Sequence, residues 1–100
     1  MGTSAEQLER ASAQHVTVSE DTLVVELKDG RTISAPVSWY PRLEHATDVE
    51  RNSWELIGCG TGIHWEAVDE DISIEALLAG KPSNESQESL KSWLDSRSGA

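Results

Sequence analysis

Leu23-Val24-Val25-Glu26-Leu27-Lys28-Asp29-Gly30-Arg31-Thr32-Ile33-Ser34-Ala35 is the stretch on which the fold turns. Leu23, Val25 and Leu27 alternate with Val24 and Glu26, the period-two pattern of a strand with one buried face. Thr32-Ile33-Ser34-Ala35 supplies a return strand. Asp29-Gly30 between the two runs signals a type I′ turn, whose central residues both need positive φ. The reading is a β-hairpin over about residues 22–35, and hence an antiparallel sheet.

Working outward, His15-Val16-Thr17-Val18 begins another alternating segment, stopped by the turn formers Ser19-Glu20-Asp21-Thr22. Residues 1–14 are polar, with Leu8 the one large apolar residue beyond the initiator, and read as a short helix or a disordered lead. Downstream, Pro36 ends the return strand. Ser38 is expected to cap a first turn holding Trp39, Tyr40 and Pro41, with Trp39, Leu43 and Ala46 at near-helical spacing. Thr47-Asp48-Val49-Glu50 has the form of a capping box, opening a second short helix from Asp48 to about Ser53. Glu55-Leu56-Ile57 and Ile63-His64-Trp65 read as short strands around Gly58-Cys59-Gly60-Thr61-Gly62, with Ile63 and Trp65 on one face and His64 on the other. Ser73 suits the N-cap of a helix from Ile74 to Ala79 with Leu77 and Leu78 inward, and Gly80 suits the left-handed residue after it. Residues 81–86 are linker-like, and Leu90, Trp93 and Leu94 mark an amphipathic helix docked on the body, a second subunit or a partner, the body being the default. The expectation is a lead over 1–14, one α+β domain over 15–80 with short helices packed on a small antiparallel sheet, and a linker with helix over 81–100.

One hundred residues suffice for one modest core. The apolar fraction of 37% and the mean hydropathy of −0.45 are those of an ordinary water-exposed domain. Four tryptophans and no phenylalanine make Trp39, Trp54, Trp65 and Trp93 the main carriers of large apolar area. The formal charge is −10, and no Lys or Arg falls between Arg51 and Lys81, where Glu55, Glu66, Asp69, Glu70, Asp71 and Glu75 all lie. That balance argues against direct nucleic-acid binding, which needs a basic footprint. It favours a basic protein partner, or simply a solvated acidic surface. Cys59 is the single cysteine, so no intrachain disulfide is available. No run has the length of a membrane span and the first residues lack a signal-peptide core, which makes the cytoplasm the default location.

Several constellations invite chemistry and fit it poorly. Gly58, Gly60 and Gly62 have the spacing G-x-G-x-G with a strand following, whereas a dinucleotide loop needs G-x-G-x-x-G opening a helix. Cys59 and His64 suggest a nucleophile and base, but the acidic surroundings would not activate a thiol. His15, His45, His64 and Cys59 match no zinc spacing, and Asp69-Glu70-Asp71 is not a calcium loop; favourable charge at a helix entry explains those acids. No catalytic, cofactor or metal residue is therefore assigned. Trp39, Tyr40 and Arg42 form either an interface patch or a core plug with an arginine meeting a carboxylate.

The order of the pieces is itself distinctive. Leu23 to Arg31, then Val37-Ser38-Trp39-Tyr40-Pro41-Arg42-Leu43, then Gly62-Ile63-His64-Trp65 and Asp69-Glu70-Asp71-Ile72-Ser73 with Leu77-Leu78-Ala79-Gly80 together resemble a bacterial family known as domain of unknown function 2442, over about Val16 to Gly80. The resemblance implies a small domain that occurs alone or ahead of a DNA-binding helix-turn-helix domain, or is encoded beside small proteins suspected of toxin–antitoxin-like pairing. It transfers no catalytic residue, and only about twenty residues follow Gly80, too few for the helix-turn-helix extension.

The first expectation is thus a non-enzymatic interaction module, antitoxin-like or regulatory, that meets a small basic protein through Trp39, Tyr40, Arg42, His64, Trp65, Glu66, Asp69, Glu70 and Asp71. A regulatory, oligomerising or ligand-sensing domain acting with a DNA-binding protein comes second, and a small hydrolase-like enzyme using His64 third. No cofactor is expected, and self-association is left open.

Overall fold

The computed structural model describes residues 11–98. Two antiparallel three-stranded sheets follow one another along the chain, and in each the spatial order of strands is the chain order. The first holds β1 (Ala13–Val18), β2 (Thr22–Leu27) and β3 (Thr32–Pro36); the second holds β4 (Trp54–Ile57), β5 (Gly62–Trp65) and β6 (Glu70–Ser73). Between them lie a 3₁₀ turn (Val37–Trp39) and the helices α1 (Pro41–Glu44) and α2 (Asp48–Arg51); after them come α3 (Ile74–Leu78) and α4 (Gln87–Ser98). The fold is α+β, as the hairpin and the short helical signals predicted, with two sheets where the sequence suggested one.

The hairpin is present with a different turn. Gly30 has φ +98° while Asp29 is not left-handed. The Gly30 amide donates to the Leu27 carbonyl at 3.1 Å, and the Leu27 amide to the Arg31 carbonyl at 2.8 Å. That is a three-residue loop with one left-handed glycine rather than a type I′ turn. Asp29 is freed to accept from the Arg31 amide at 3.0 Å and from its Nε at 2.8 Å. Upstream, β1 begins at Ala13, inside the segment read as a lead. A bulge between Ala13 and His15 shifts the register against β2. The extra residue lets Ala13 and Val16, three apart, both face the core. Residues 1–10 of the expected lead lie outside the described residues.

Ser38 is no helix cap. It sits inside the 3₁₀ turn, and α1 starts from Tyr40 with Pro41 at its first position and no capping side chain. The box at α2 forms as predicted: Thr47 Oγ1 accepts from the Glu50 amide at 3.1 Å, and the Glu50 carboxylate accepts from the Thr47 amide at 2.9 Å. Arg51 is buried and turned back on α1, donating from Nε to the Leu43 carbonyl and from Nη2 to the Glu44 carbonyl. A cation thereby satisfies carbonyls left over at a helix C-terminus. The Arg51 carbonyl in turn accepts from the indole nitrogen of Trp65 at 3.0 Å. Trp65 fills the centre of one core with Leu23, Val25, Leu27, Leu43 and Ile63, all essentially without exposed surface.

β6 corrects the sequence reading most. Asp69 is left-handed at φ +54°, and Glu70 to Ser73 form a strand paired with β5. The helix starts only at Ile74, with Ser73 Oγ accepting from the Ala76 amide at 3.0 Å. The acids at 69–71 therefore do not serve a helix entry. Leu77 is buried, whereas Leu78 is exposed. Gly80 takes the expected left-handed φ of +73°. Residues 81–86 are a pinned strap rather than a free linker: the Ser83 amide donates to the Trp39 carbonyl at 3.0 Å, and Glu85 pairs with Arg42. α4 docks on its own body, with Trp93 against the core and Arg97 donating to Glu50 at 2.9 and 3.1 Å.

Candidate functional site

Strand alternation builds the first cluster. Ile63, Trp65 and Ile72 point inward, so His64 and Asp71 point out, and register places Glu55, His64 and Asp71 side by side across the second sheet. His64 Nδ1 lies 2.5 Å from Asp71 Oδ1, and Nε2 lies 2.8 Å from Glu66 Oε1. An ionised carboxylate only accepts, so both ring nitrogens must donate and the ring is an imidazolium. Glu66 and then Asp71 push the His64 pKa up to about 9. A ring held in that state is no general base at neutral pH, and both nitrogens are engaged. Cys59 is exposed in the glycine-rich turn at φ +58°, and no described hydrogen bond joins it to His64. Ligand atoms of Glu55, His64 and Glu66 lie within 4.8 Å of one another, close enough for a divalent ion, but any ion would have to displace the imidazole proton.

The second cluster lies on the side of β6 that faces the strap. Arg42 Nε donates to Glu85 at 3.0 and 2.9 Å, Nη2 to Glu85 at 2.7 Å and Nη1 to the Val68 carbonyl at 3.1 Å. Its guanidinium also stacks on Trp93, 5.0 Å from the ring centre, with Arg97 at 4.6 Å from the same ring. Beside this knot opens a cleft of about 430 Å³ between β6, α3 and the strap, lined by Tyr40, Glu70, Ser73, Lys81, Ser83 and Asn84 among others. Glu70 is 9% exposed and Tyr40 3%. Burial, reinforced by Glu85, Asp71 and Asp69 against the opposing pull of Arg42, raises the Glu70 pKa to about 7. Burial and the nearby Glu70 carboxylate hold the Tyr40 phenol above its ordinary value.

The nine expected interface residues thus divide. His64, Glu66 and Asp71 come together on the outer sheet face, with Asp69 exposed at the turn before β6. Trp65 is fully buried and presents nothing to a partner, because β5 alternation puts it with Ile63 in the core. Tyr40 and Glu70 are buried at the cleft, Trp39 is half-buried against the core, and Arg42 is committed to Glu85. Sequence reasoning missed Glu85, Trp93 as the arginine platform, and the burial of Glu70. The last had a signal, since Glu70 stands two residues before the inward Ile72 on a strand; Glu85, 43 residues from Arg42, had none.

The family model described as "Protein of unknown function (DUF2442)" matches residues 13–83. A crystal structure of a protein of unknown function from Rhodospirillum rubrum is similar at 31% identity and a TM-score of 0.65, covering 75% of this chain and 93% of its own. An NMR structure of an uncharacterized protein from Chromobacterium violaceum shares the fold at 22% identity and a TM-score of 0.67, covering 89% of this chain and 82% of its own. No curated protein matches the chain. These comparisons indicate no enzymatic family. No helix among the described residues is long and apolar enough to cross a membrane.

Proposed function

Because the chain belongs to DUF2442, a family of unknown function, we propose its role from its geometry: it is a non-enzymatic interaction module that docks a basic protein on the outer face of its second sheet, as an antitoxin-like or regulatory partner. The observation that carries this reading is the row Glu55–His64–Asp71 flanked by Glu66, with Asp69 and Glu75 also exposed and no Lys or Arg between Arg51 and Lys81. The carboxylates of Glu66 and Asp71 are 84% and 67% exposed, so they lose little hydration until a partner arrives. Such charge raises the rate of encounter and selects the sign of the partner more than it adds affinity. The doubly engaged, protonated His64 supports a role other than general-base catalysis.

The test is affinity capture of the tagged full chain from its native host, with mass spectrometry, beside a Glu55→Gln/Asp69→Asn/Asp71→Asn variant. These changes are near-isosteric, and Asn tolerates the left-handed backbone at position 69. A basic protein should co-elute at low salt, weaken as salt shortens the Debye length, and bind the variant about tenfold more weakly. A partner that is acidic, or whose binding ignores both salt and the three substitutions, refutes the docking face.

A further inference from the structure

The cleft beside β6 holds two polar groups that the protein itself leaves unanswered. The Tyr40 hydroxyl is buried and has no hydrogen-bond partner among the described residues. No described group donates a hydrogen bond to the Glu70 carboxylate, although the side chain is nine-tenths buried. Arg42, the cation that acts on its charge, spends its donors on Glu85 and the Val68 carbonyl. Buried polar groups are almost always satisfied, so the Tyr40 hydroxyl stands out, and the Glu70 carboxylate beside it keeps accessible oxygen surface with no donor of its own. Both line the same opening of about 430 Å³, within the size range of small-molecule sites.

We propose that this cleft binds a small organic cation bearing N–H donors, an ammonium or guanidinium head lodged between the Glu70 carboxylate and the Tyr40 hydroxyl. The head donates to the carboxylate and to the phenolic oxygen, and supplies the positive charge that a desolvated carboxylate lacks. Ile72 and Ala76 line the same cleft and offer its tail apolar surface, and Ser73, Ser83 and Asn84 offer further polar contacts. Lys81, which also lines the cleft, sets a limit, since a second ammonium must avoid it. The charged groups around Glu70 are Asp69 and Asp71 on its own segment, Arg42 from α1 and Glu85 from the strap, with the Tyr40 phenol facing it. With Glu70 itself, four acids stand against Arg42 and the cleft-lining Lys81, which keeps the field at the head negative. The head binds the ionised carboxylate, so capture near pH 7 releases a proton from Glu70. Asp71 lines this cleft and also stands in the outer-face row, yet neither reading depends on the other.

The experiment is a heteronuclear NMR and calorimetric titration of the full chain with butylammonium and with butylguanidinium. Tetramethylammonium serves as a charge without N–H donors, and butyrate as an anion of similar tail. Saturable binding of the two donors is expected, with amide shifts at Tyr40, Glu70, Ser73 and Asn84, none with either control, and affinity rising between about pH 6 and pH 8. Glu70→Gln and Tyr40→Phe should each weaken binding about tenfold or more while leaving the free protein as stable as wild type or more so near neutral pH, a pairing that a structural role would not produce. Glu20→Gln, which removes one exposed charge outside the cleft lining, should leave binding unchanged. The proposal falls if neither donor saturates, if tetramethylammonium binds as well, if the shifts centre on His64 and Glu66, or if Glu70→Gln binds like wild type.

Discussion

Replacing Glu70 by Gln isolates the energetic weight of a carboxyl placed on the core side of β6. The folded protein raises this group from 4.5 to about 7, so folding favours its protonated form. A raised folded pKa means the contribution is fully present below the unfolded value and is lost as pH climbs through the folded one. Each tenfold change in proton affinity is worth about 1.4 kcal/mol. Ionising Glu70 within the fold therefore costs on the order of 3 kcal/mol by about pH 9, against under about 1 kcal/mol at pH 5. Gln copies the protonated acid in shape and stays neutral throughout. Urea unfolding followed by tryptophan fluorescence should show the two proteins nearly equal at the acidic end and the variant more stable by about 3 kcal/mol at the alkaline end. Salt bridges elsewhere titrate in both proteins and cancel in the difference. A difference that stays constant across that range would refute the buried, raised carboxyl and the reasoning built on it.

Three further outcomes follow from the geometry. His64 is raised from 6.5 to about 9 by Glu66 and Asp71, so its contribution is present below 6.5 and lost through 9; His64→Gln should flatten the stability profile between those values, and an unchanged slope over that interval would contradict the imidazolium. Gly60→Ala meets a φ of +92° and puts a Cβ 2.8 Å from the Ala13 carbonyl oxygen, so chemical denaturation should register a loss well above about 1 kcal/mol, with an equally stable variant showing that β1 does not seat there. Trp93→Ala removes the platform shared by Arg42 and Arg97; hydrogen exchange should rise across residues 87–98 while β2 and β5 stay protected, and the loss should be of the order of 1–3 kcal/mol.

The features legible in the sequence were those encoded within a few residues. The β2–β3 hairpin, the Thr47–Glu50 box, the inward pair Ile63 and Trp65, and the Ser73 cap each rest on local periodicity or local hydrogen bonding. What stayed hidden depends on separation along the chain or on one-residue parity. Arg42 reaches Glu85 across 43 residues. The bulge at Ala13–His15 broke the alternation by which β1 would have been seen to start earlier. β6 hid because Asp69-Glu70-Asp71 looks like a polar loop: a buried acid violates the pattern by which strands are recognised, and that violation is what marks the cleft. The outer-face cluster was legible as residue types, while its pairing of His64 with two carboxylates came from strand register and the turn that follows β5.

The ordering of both sheets along the chain has a kinetic side. Within each sheet every strand after the first pairs with its immediate predecessor, and the turns between them span three or four residues. Closing such short loops costs little entropy and takes well under a microsecond, so each three-stranded unit can form before the other is in place. The slow event is then the meeting of the two units at the seam where His15 stands edge-on to Trp54 and Lys28 Nζ reaches the Cys59 carbonyl. During synthesis the first unit is complete by Pro36, well before Trp65 arrives to cover Leu23, Val25 and Leu27. For that interval the nascent chain carries its bare apolar sheet face outward, and it is there that a chaperone would find its grip.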